Sequence, residues 1–422
     1  MKPGWRQRTG DVVRRHRPDY MIVLYTGILM LLGLVVIYAI GPQRANVLNN
    51  AFGSNFSDSY FFIKQTVSLL LALIAFGIMS VIPYSFIIKH GTKVLIGGLA
   101  ACAVLALAGI AGLPIAEATN GAVRWFNLGI FGSLQPAEIV KFGVLIYLAV
   151  FLGKRVKEGT VNDLKESLIP IGVVSAVSLG FIIVIQKDMG TGIALTAIIF
   201  TMLFIAGISR KILAVIGGIL LIGGLILIFS SPHRVERVVT FLQGDNTSTS
   251  DAESYHIEHA KIAIGTGGFF GVGIGNSVQA TGYLPEAIND SVFAILGETF
   301  GFIGLMALLA VFIALLLRLL KVMDHLVDIR LKLLVAGVFG WFGAHVILNI
   351  AAMIGIFPLT GITLPLLSFG GTSMIFITAA LGLVFQLSRY TIHSSRLKEN
   401  DHENSGSGRR IGRTRYASRS GS

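Results

Sequence analysis

The chain has 422 residues, of which 54% are hydrophobic and only 13% charged, with a mean hydropathy of +0.76. Soluble domains are roughly a quarter charged, so this composition excludes a soluble enzyme on a single anchor and implies an integral membrane protein with many spans. The net charge of +12 would suit nucleic acid, but the basic residues lie at the two ends and in short loops. That distribution is what membrane orientation produces, and no nucleic-acid partner is expected. The single cysteine, Cys102, lies inside an apolar run, which excludes an intramolecular disulfide.

A helix needs about 20 apolar residues to cross the hydrocarbon core. Runs near that length occur at about 20–40, 61–83, 94–112, 137–152, 168–186, 190–208, 212–230, 291–317, 334–356 and 373–388. The first lacks an obvious small-residue cleavage site and is expected to stay as a transmembrane helix. With the N-terminal Lys2, Arg6, Arg8, Arg14, Arg15 and Arg17 placed in the cytoplasm, alternate loops are basic. They hold Lys89 and Lys93, then Lys154, Arg155, Lys157 and Lys165, then Arg210 and Lys211, then Arg318, Lys321, Arg330 and Lys332. Ten spans with both termini cytoplasmic satisfy the positive-inside rule.

The expectation is an all-α polytopic membrane protein. Residues 1–18 form a basic cytoplasmic segment, 19–390 a ten-helix membrane domain, and 391–422 a disordered basic cytoplasmic tail near anionic lipid. Outer loops fall at 113–136, 231–289 and 357–372, the largest lying between the seventh and eighth spans. The first two are too long to be simple connectors, and loops of that length are usually functional or disordered.

The first outer loop carries Asn120, Gly121, Arg124 and Trp125, then Gln135-Pro136-Ala137-Glu138 opening a short span that holds Lys141. Arg124 and Trp125 suit interfacial anchoring as well as a site. Lys141 lies about one turn inside the span, where a lysine is a functional candidate by default, or a structural partner of Glu138 at i, i+3. The turn between spans five and six concentrates Gln186, Lys187 and Asp188 beside Gly190 and Gly192. Asp188 either belongs to a site or caps the next helix.

The large loop opens with Arg234 and Arg237 among apolar residues, a pattern resembling an amphipathic helix on the membrane surface. His256 and His259 have helical metal-ligand spacing but no evident third ligand. Gly265, Gly267, Gly268, Gly271, Gly273 and Gly275 follow, permitting tight turns and close backbone approach to a ligand. The loop ends in Tyr283-Leu284-Pro285-Glu286-Ala287-Ile288-Asn289-Asp290. A carboxylate at the lip of a span is costly to keep ionised unless water, a cation or a substrate meets it. Glu298 follows about two turns deeper, as a second candidate or as a partner for a buried base or a helix cap. The final outer loop, GIFPLTGITLPLLSFGGTSM, reads as a broken, partly re-entrant segment.

These strings, in this order, make the chain resemble the SEDS family, the FtsW, RodA and SpoVE group of bacterial cell-wall synthesis, from about Asp19 to about Arg389. They are NGAVRWFNLG with LQPAEIVK, IQKDMGT, the Arg234–Leu242 stretch, IAIGTGG with GIGNSVQ, YLPEAIND with AILGE, and PLTGITLPLLSFGGTS. The resemblance implies a peptidoglycan glycosyltransferase polymerising lipid II, closer to the division than to the elongation members. It implies Asp290 as the catalytic residue and sites for substrate at Arg124, Trp125 and Lys141. Gln135, Glu138, Lys187, Asp188, Glu286 and Glu298 complete the candidate substrate-binding set; no metal ligands are assigned. It further implies a divalent cation, Mg2+ or Mn2+, and a class B penicillin-binding transpeptidase as partner, with other division or elongation proteins and a septal location. Ile288 and Asn289 stand where the family usually has His-Thr, His256 and His259 where it has Gln, and Thr299 where it has an acid. A lipid II flippase is the competing class, since ten spans with intramembrane charges also suit transport; no repeat relates the two halves as transporters commonly show.

Overall fold

Every backbone amide in hydrocarbon has to be paired within the protein, so the apolar runs fold as helices and their polar borders as caps. The computed structural model describes residues 16–119, 122–127, 129, 132–230, 235, 238–239 and 252–391. The basic N-terminal segment up to 15, the tail from 392, Asn120, Gly121, and the Arg234 and Arg237 of the surface-helix reading lie outside them.

Helix α1 (Tyr20–Phe52) starts on an Asp19 cap and ends at Gly53 in the left-handed region. Then come α2 (Tyr60–Val81) and α3 (Tyr84–Ile110). Next are three short strands, β1 (Ala116–Thr119), β2 (Ala122–Asn127) and β3 (Ser133–Leu134), in one antiparallel sheet of order β1-β2-β3. Helix α4 (Pro136–Glu158) follows, then α5 (Leu164–Ile185), whose two ends are wound as π-helix. The rest are α6 (Met189–Ile205), α7 (Arg210–Phe229), α8 (Ala252–Thr266), α9 (Val292–Asp324), α10 (Ile329–Met353) and α11 (Gly371–Leu387). Among the described residues nine helices are long and apolar enough to cross a membrane, and α6 at 17 residues makes the tenth expected span.

Three expectations are revised. The loop at 113–136, expected as irregular, holds a small three-stranded sheet beside the all-α membrane domain. The loop at 231–289 contains α8, which packs on α9, together with a 3-10 turn at Gln279–Thr281. The basic residues expected in loops lie largely within helices. Lys89 and Lys93 belong to α3, Lys154, Arg155 and Lys157 to α4, and Arg318 and Lys321 to the end of α9. A long cationic side chain extends a helix past its apolar part without desolvating its charge.

Helices α4, α10 and α11 are enclosed by protein, whereas α7 buries little and presents Val215, Ile219, Ile222 and Ile226 outward. Such exposure is ordinary where lipid tails are the solvent. The basic ends are tied together: Arg155 pairs with Glu166 at 2.8 Å, Arg318 with Asp19 at 2.7 Å, and Ser209 N donates to Asn162 Oδ1 at 2.8 Å. The opposite end carries the sheet, the α5–α6 turn, the turn before α9 and the 357–370 loop.

Helix α9 is broken. Gly301 adopts φ 64°, ψ −165°, a conformation open essentially to glycine alone. The backbone groups freed there are taken by the glycine-rich segment after α8. Val272 N donates to Glu298 O at 2.9 Å and Gly273 N to Thr299 O at 3.0 Å, while Phe302 N donates to Gly268 O at 2.8 Å. Two glycines of the string, Gly267 and Gly271, approach the backbone of α9, and a Cβ on Gly301 would lie 2.7 Å from the Phe269 carbonyl carbon.

Gly301→Ala is expected to lower stability by about 1–3 kcal/mol or more, read as a drop in detergent thermal midpoint. Gly27→Ala, where a Cβ meets nothing within 4 Å, should not lower it.

Candidate active site

Asp290 lies half-buried in the turn just before α9. The turn is fixed by its own backbone, with Asn289 N and Ser291 N donating to Glu286 O at 2.9 and 3.2 Å. Helix α8 fixes it from one side, where His256 Nε2 meets Ser291 Oγ at 2.6 Å and that hydroxyl donates to Pro285 O at 2.9 Å. Helix α10 fixes it from below, as buried Asn349 donates from Nδ2 to Asp290 O at 2.8 Å and to Ile362 O at 2.7 Å. The 357–370 loop fixes it from the third side, through Phe369 N to Ile288 O at 2.8 Å. That loop roofs the carboxylate: a Cβ added to Gly361 would stand 3.7 Å from Asp290 Oδ2.

This loop is irregular in backbone, with Leu364, Leu366 and Leu367 inside the protein. Its backbone finds partners in Ser368 Oγ, which accepts from Leu364 N at 2.9 Å, and in Gln65, which donates to Ser368 O at 3.3 Å. It presses on α1 at Gly33, where a Cβ would lie 2.7 Å from Leu367 O. Only a residue without a side chain fits there.

Two other candidate stretches reach the same place. Asp188 caps α6, accepting from Thr191 N at 2.9 Å and Thr191 Oγ1 at 2.8 Å, and Gln135 Nε2 adds a third bond at 2.9 Å. The capping alternative therefore describes Asp188, and Gln135 serves it. Next to this cap, a Cβ on Gly190 would lie 2.6 Å from Thr360 O, which places the start of α6 against the loop over Asp290. Arg124 on β2 holds the α5–α6 turn, donating from Nε to Gln186 O at 3.2 Å and from Nη2 to Lys187 O at 2.8 Å. Lys187 itself is exposed and has φ 53°, a strained value for a lysine. Trp125 is partly buried, its ring 6.0 Å from the Arg124 guanidinium carbon.

Lys141 and Glu138 form a 2.7 Å ion pair inside the protein, 0% and 2% exposed. The ammonium lies 4.8 Å from the Trp341 ring centroid, a cation–π distance. The structural alternative at i, i+3 is realised, and neither group opens to the surface. Glu298 is fully buried as well. Its carboxylate accepts from Ser277 Oγ at 2.5 Å, Val278 N at 2.9 Å and Gln279 N at 3.3 Å, so it caps the 3-10 turn rather than facing a substrate. Glu286 is half-exposed, bonded to Asn289 Nδ2 at 2.5 Å and to Arg44 Nη2 at 3.5 Å.

His256 bonds to Ser291 at the Asp290 turn, whereas His259 Nδ1 lies 2.7 Å from Gln279 Oε1 of the 3-10 turn. Among the described residues no three His, Cys, Asp or Glu side chains gather as a metal site. The sequence reading did not single out Arg44, Trp341, His345 or Asn349. The last three are polar side chains inside an apolar span, a signal it passed over. Arg44 lay just past the expected end of the first span.

A half-buried carboxylate at one end of a helical membrane bundle, against an irregular loop, defines a polytopic membrane enzyme working where protein meets water. The chain belongs to the FtsW, RodA and SpoVE family of cell cycle proteins, whose model matches residues 19–393. It is 32% identical to the stage V sporulation protein E of Bacillus subtilis over 381 residues, 90% of this chain and 99% of that one. It is 34% identical to the probable peptidoglycan glycosyltransferase FtsW of Aliivibrio salmonicida, over 85% of this chain and 86% of that one. The fold matches a chain from a peptidoglycan synthase complex coordinating polymerization and crosslinking, with TM-score 0.68 and 24% identity over 88% of this chain and 98% of that one. It also matches the rod shape determining protein RodA of Thermus thermophilus, with TM-score 0.61 and 24% identity over 89% and 98%.

Lys141→Met alone leaves Glu138 buried without its partner, a loss of about 3–5 kcal/mol. Adding Glu138→Gln should restore most of the detergent thermal midpoint; equal midpoints for the single and double variants would show that the two charges do not support each other.

Proposed function

We propose that this chain is a peptidoglycan glycosyltransferase that polymerises lipid II at the outer face of the bacterial plasma membrane, in septal wall synthesis. The observation that carries the reading is Asp290: a half-buried carboxylate in a turn whose backbone is held from three sides. Relatives carrying the FtsW name support the activity and the division role. The charge asymmetry supports the sidedness, since the end opposite Asp290 gathers Lys154, Arg155, Lys157, Arg210, Lys211 and Arg318.

In the proposed step an acceptor sugar hydroxyl attacks the anomeric carbon of the donor. The new glycosidic C–O bond forms as the bond from that carbon to the diphosphate oxygen breaks, and undecaprenyl diphosphate leaves. Asp290 takes the hydroxyl proton as general base. Its placement is what Asn349 and the Ser291–His256 contact supply, because a base has to lie within hydrogen-bond reach of the proton it removes. The loop at 357–370 stands against one side of the carboxylate, Gly361 being the residue beside Oδ2.

The divalent cation that the family resemblance implies, Mg2+ or Mn2+, would take most of its ligands from substrate phosphates and water, as Mg2+ commonly does. Asp290 is a carboxylate of this turn that could share it, and the ion would neutralise charge on the leaving diphosphate. A class B penicillin-binding transpeptidase is the proposed partner, supported by the likeness to a chain of a synthase complex.

Purified full-length protein with that transpeptidase, labelled lipid II and Mg2+ or Mn2+ is expected to yield glycan strands. Asp290→Ala should reduce the rate by about 10²–10⁴-fold; an undiminished rate would remove Asp290 from the role. Absence of polymer together with transfer of labelled lipid across liposomes would favour the flippase reading.

A further inference from the structure

The leaving diphosphate needs cationic donors where its charge develops. The lysine and arginine that the sequence offers for this are both committed. Lys141 is 0% exposed and bound to Glu138, and Arg124 uses Nε and Nη2 on the carbonyls of Gln186 and Lys187.

A different cation touches the Asp290 turn. Arg44 lies on the last turns of α1, two residues beyond Pro42, where the helix has run past its expected apolar end. Among the described residues its one polar contact is with Glu286 Oε1, at 3.5 Å, with side-chain exposures of 22% and 46%. That is a long, wet pair, and such pairs contribute little.

Glu286 does not depend on Arg44. Its other oxygen accepts from Asn289 Nδ2 at 2.5 Å. Its carbonyl takes Asn289 N and Ser291 N, and its φ of 49° is held by that turn. Asn289, one of the departures from the family pattern, thus seats Glu286 four residues before Asp290. The same end of α1 packs under the turn, Val47 Cγ2 lying 3.0 Å from where a Cβ on Gly282 would be.

We propose that Arg44 is a diphosphate-binding residue of the transferase site, and that Glu286 is its resident counter-ion when no substrate is bound. This rests on the glycosyltransferase reading and names a group that recognises its substrate. The guanidinium presents a planar fork of N–H donors that matches phosphate oxygens in pairs. A diphosphate carries more charge than one carboxylate and can be held bidentately, so it displaces Glu286 from the fork. Glu286 stays behind, seated on Asn289, so the turn around Asp290 keeps its shape while Arg44 changes partner.

The test uses the full chain with its transpeptidase partner and measures initial rates against lipid II concentration. Arg44→Ala is expected to raise KM about tenfold, the loss of one charge-assisted contact, with kcat within about twofold; Arg44→Lys should fall between. Glu286→Gln keeps the acceptor for Asn289, removes the competing charge and should lower KM. A separate readout without turnover is protection from thermal unfolding by inorganic diphosphate, expected for wild type and reduced about tenfold in affinity for Arg44→Ala. If Arg44 merely pins the turn, Arg44→Ala and Glu286→Gln lower kcat alike, the double variant adds nothing, and diphosphate protects all forms equally. That outcome overturns the proposal while leaving polymerisation intact. Loss of polymer in wild type with Arg44-dependent diphosphate protection would instead reject the transferase reading and keep the anion site.

Discussion

A peptide group in hydrocarbon has no water to fall back on, and each one left unpaired costs several kcal/mol. Among the described residues this chain departs from helix at Gly301 and in the 357–370 loop, and at both places protein groups take up backbone donors and acceptors. At Gly301 the break in α9 is mended by amides and carbonyls of the 268–273 segment. In the 357–370 loop the mending is done by side chains, with Asn349 donating to Ile362 O, Gln65 to Ser368 O, and Ser368 Oγ accepting from Leu364 N. The Asp290 turn lies between these two repairs. It is bonded to the loop through Ile288 O and Phe369 N and runs directly into the broken helix. The site exists because the irregular segments that surround it had to find partners.

The buried charges follow the same logic. An ion pair taken out of water gains stability only if its geometry is good and its remaining groups are matched. Lys141 meets Glu138 of the same helix at 2.7 Å and the Trp341 ring at 4.8 Å, so its ammonium joins α4 to α10, while Glu138 Oε2 has no protein partner among the described residues. Glu298 is stabilised by three donors from the 277–279 stretch rather than by a cation. In each case a carboxylate or lysine that looked available for substrate is engaged by contacts within the protein.

How far the sequence foretold this depends on whether the signal was local. Span count, the first-turn proline of α4, the Asp188 cap and the i, i+3 pairing of Glu138 with Lys141 are local, and all were legible. The glycine string was legible as a site of close approach, but not its partner, since Gly271 and Gly301 meet only through a fold that brings residues thirty apart together. The ends of α1, α3 and α9 were misjudged because hydropathy marks the lipid-facing part of a helix, whereas the helix itself continues into polar sequence. Arg44 was hidden by that error. Asn349 was hidden by its neighbours: one amide in VILNIAAM barely changes the mean of a window.

Trp341, His345 and Asn349 lie four residues apart in turn and so share one face of α10. Each meets a different part of the site. Trp341 faces the Lys141 ammonium, His345 Nδ1 lies 3.4 Å from Thr363 O, and Asn349 holds Asp290 O. A rotation of α10 large enough to free one of them would free all three, so buried pair, roofing loop and Asp290 turn keep a common register. The other flank of the turn is built differently, from a half-exposed carboxylate and an arginine at 3.5 Å. If Asp290 is the proposed base, holding it requires the first kind of contact, because a proton acceptor displaced by an ångström loses its reach. On the proposed role of Arg44, a contact that changes partner in every cycle has to be of the second, weaker kind. The two flanks of Asp290 differ in burial and bond length in the sense that this division of labour demands.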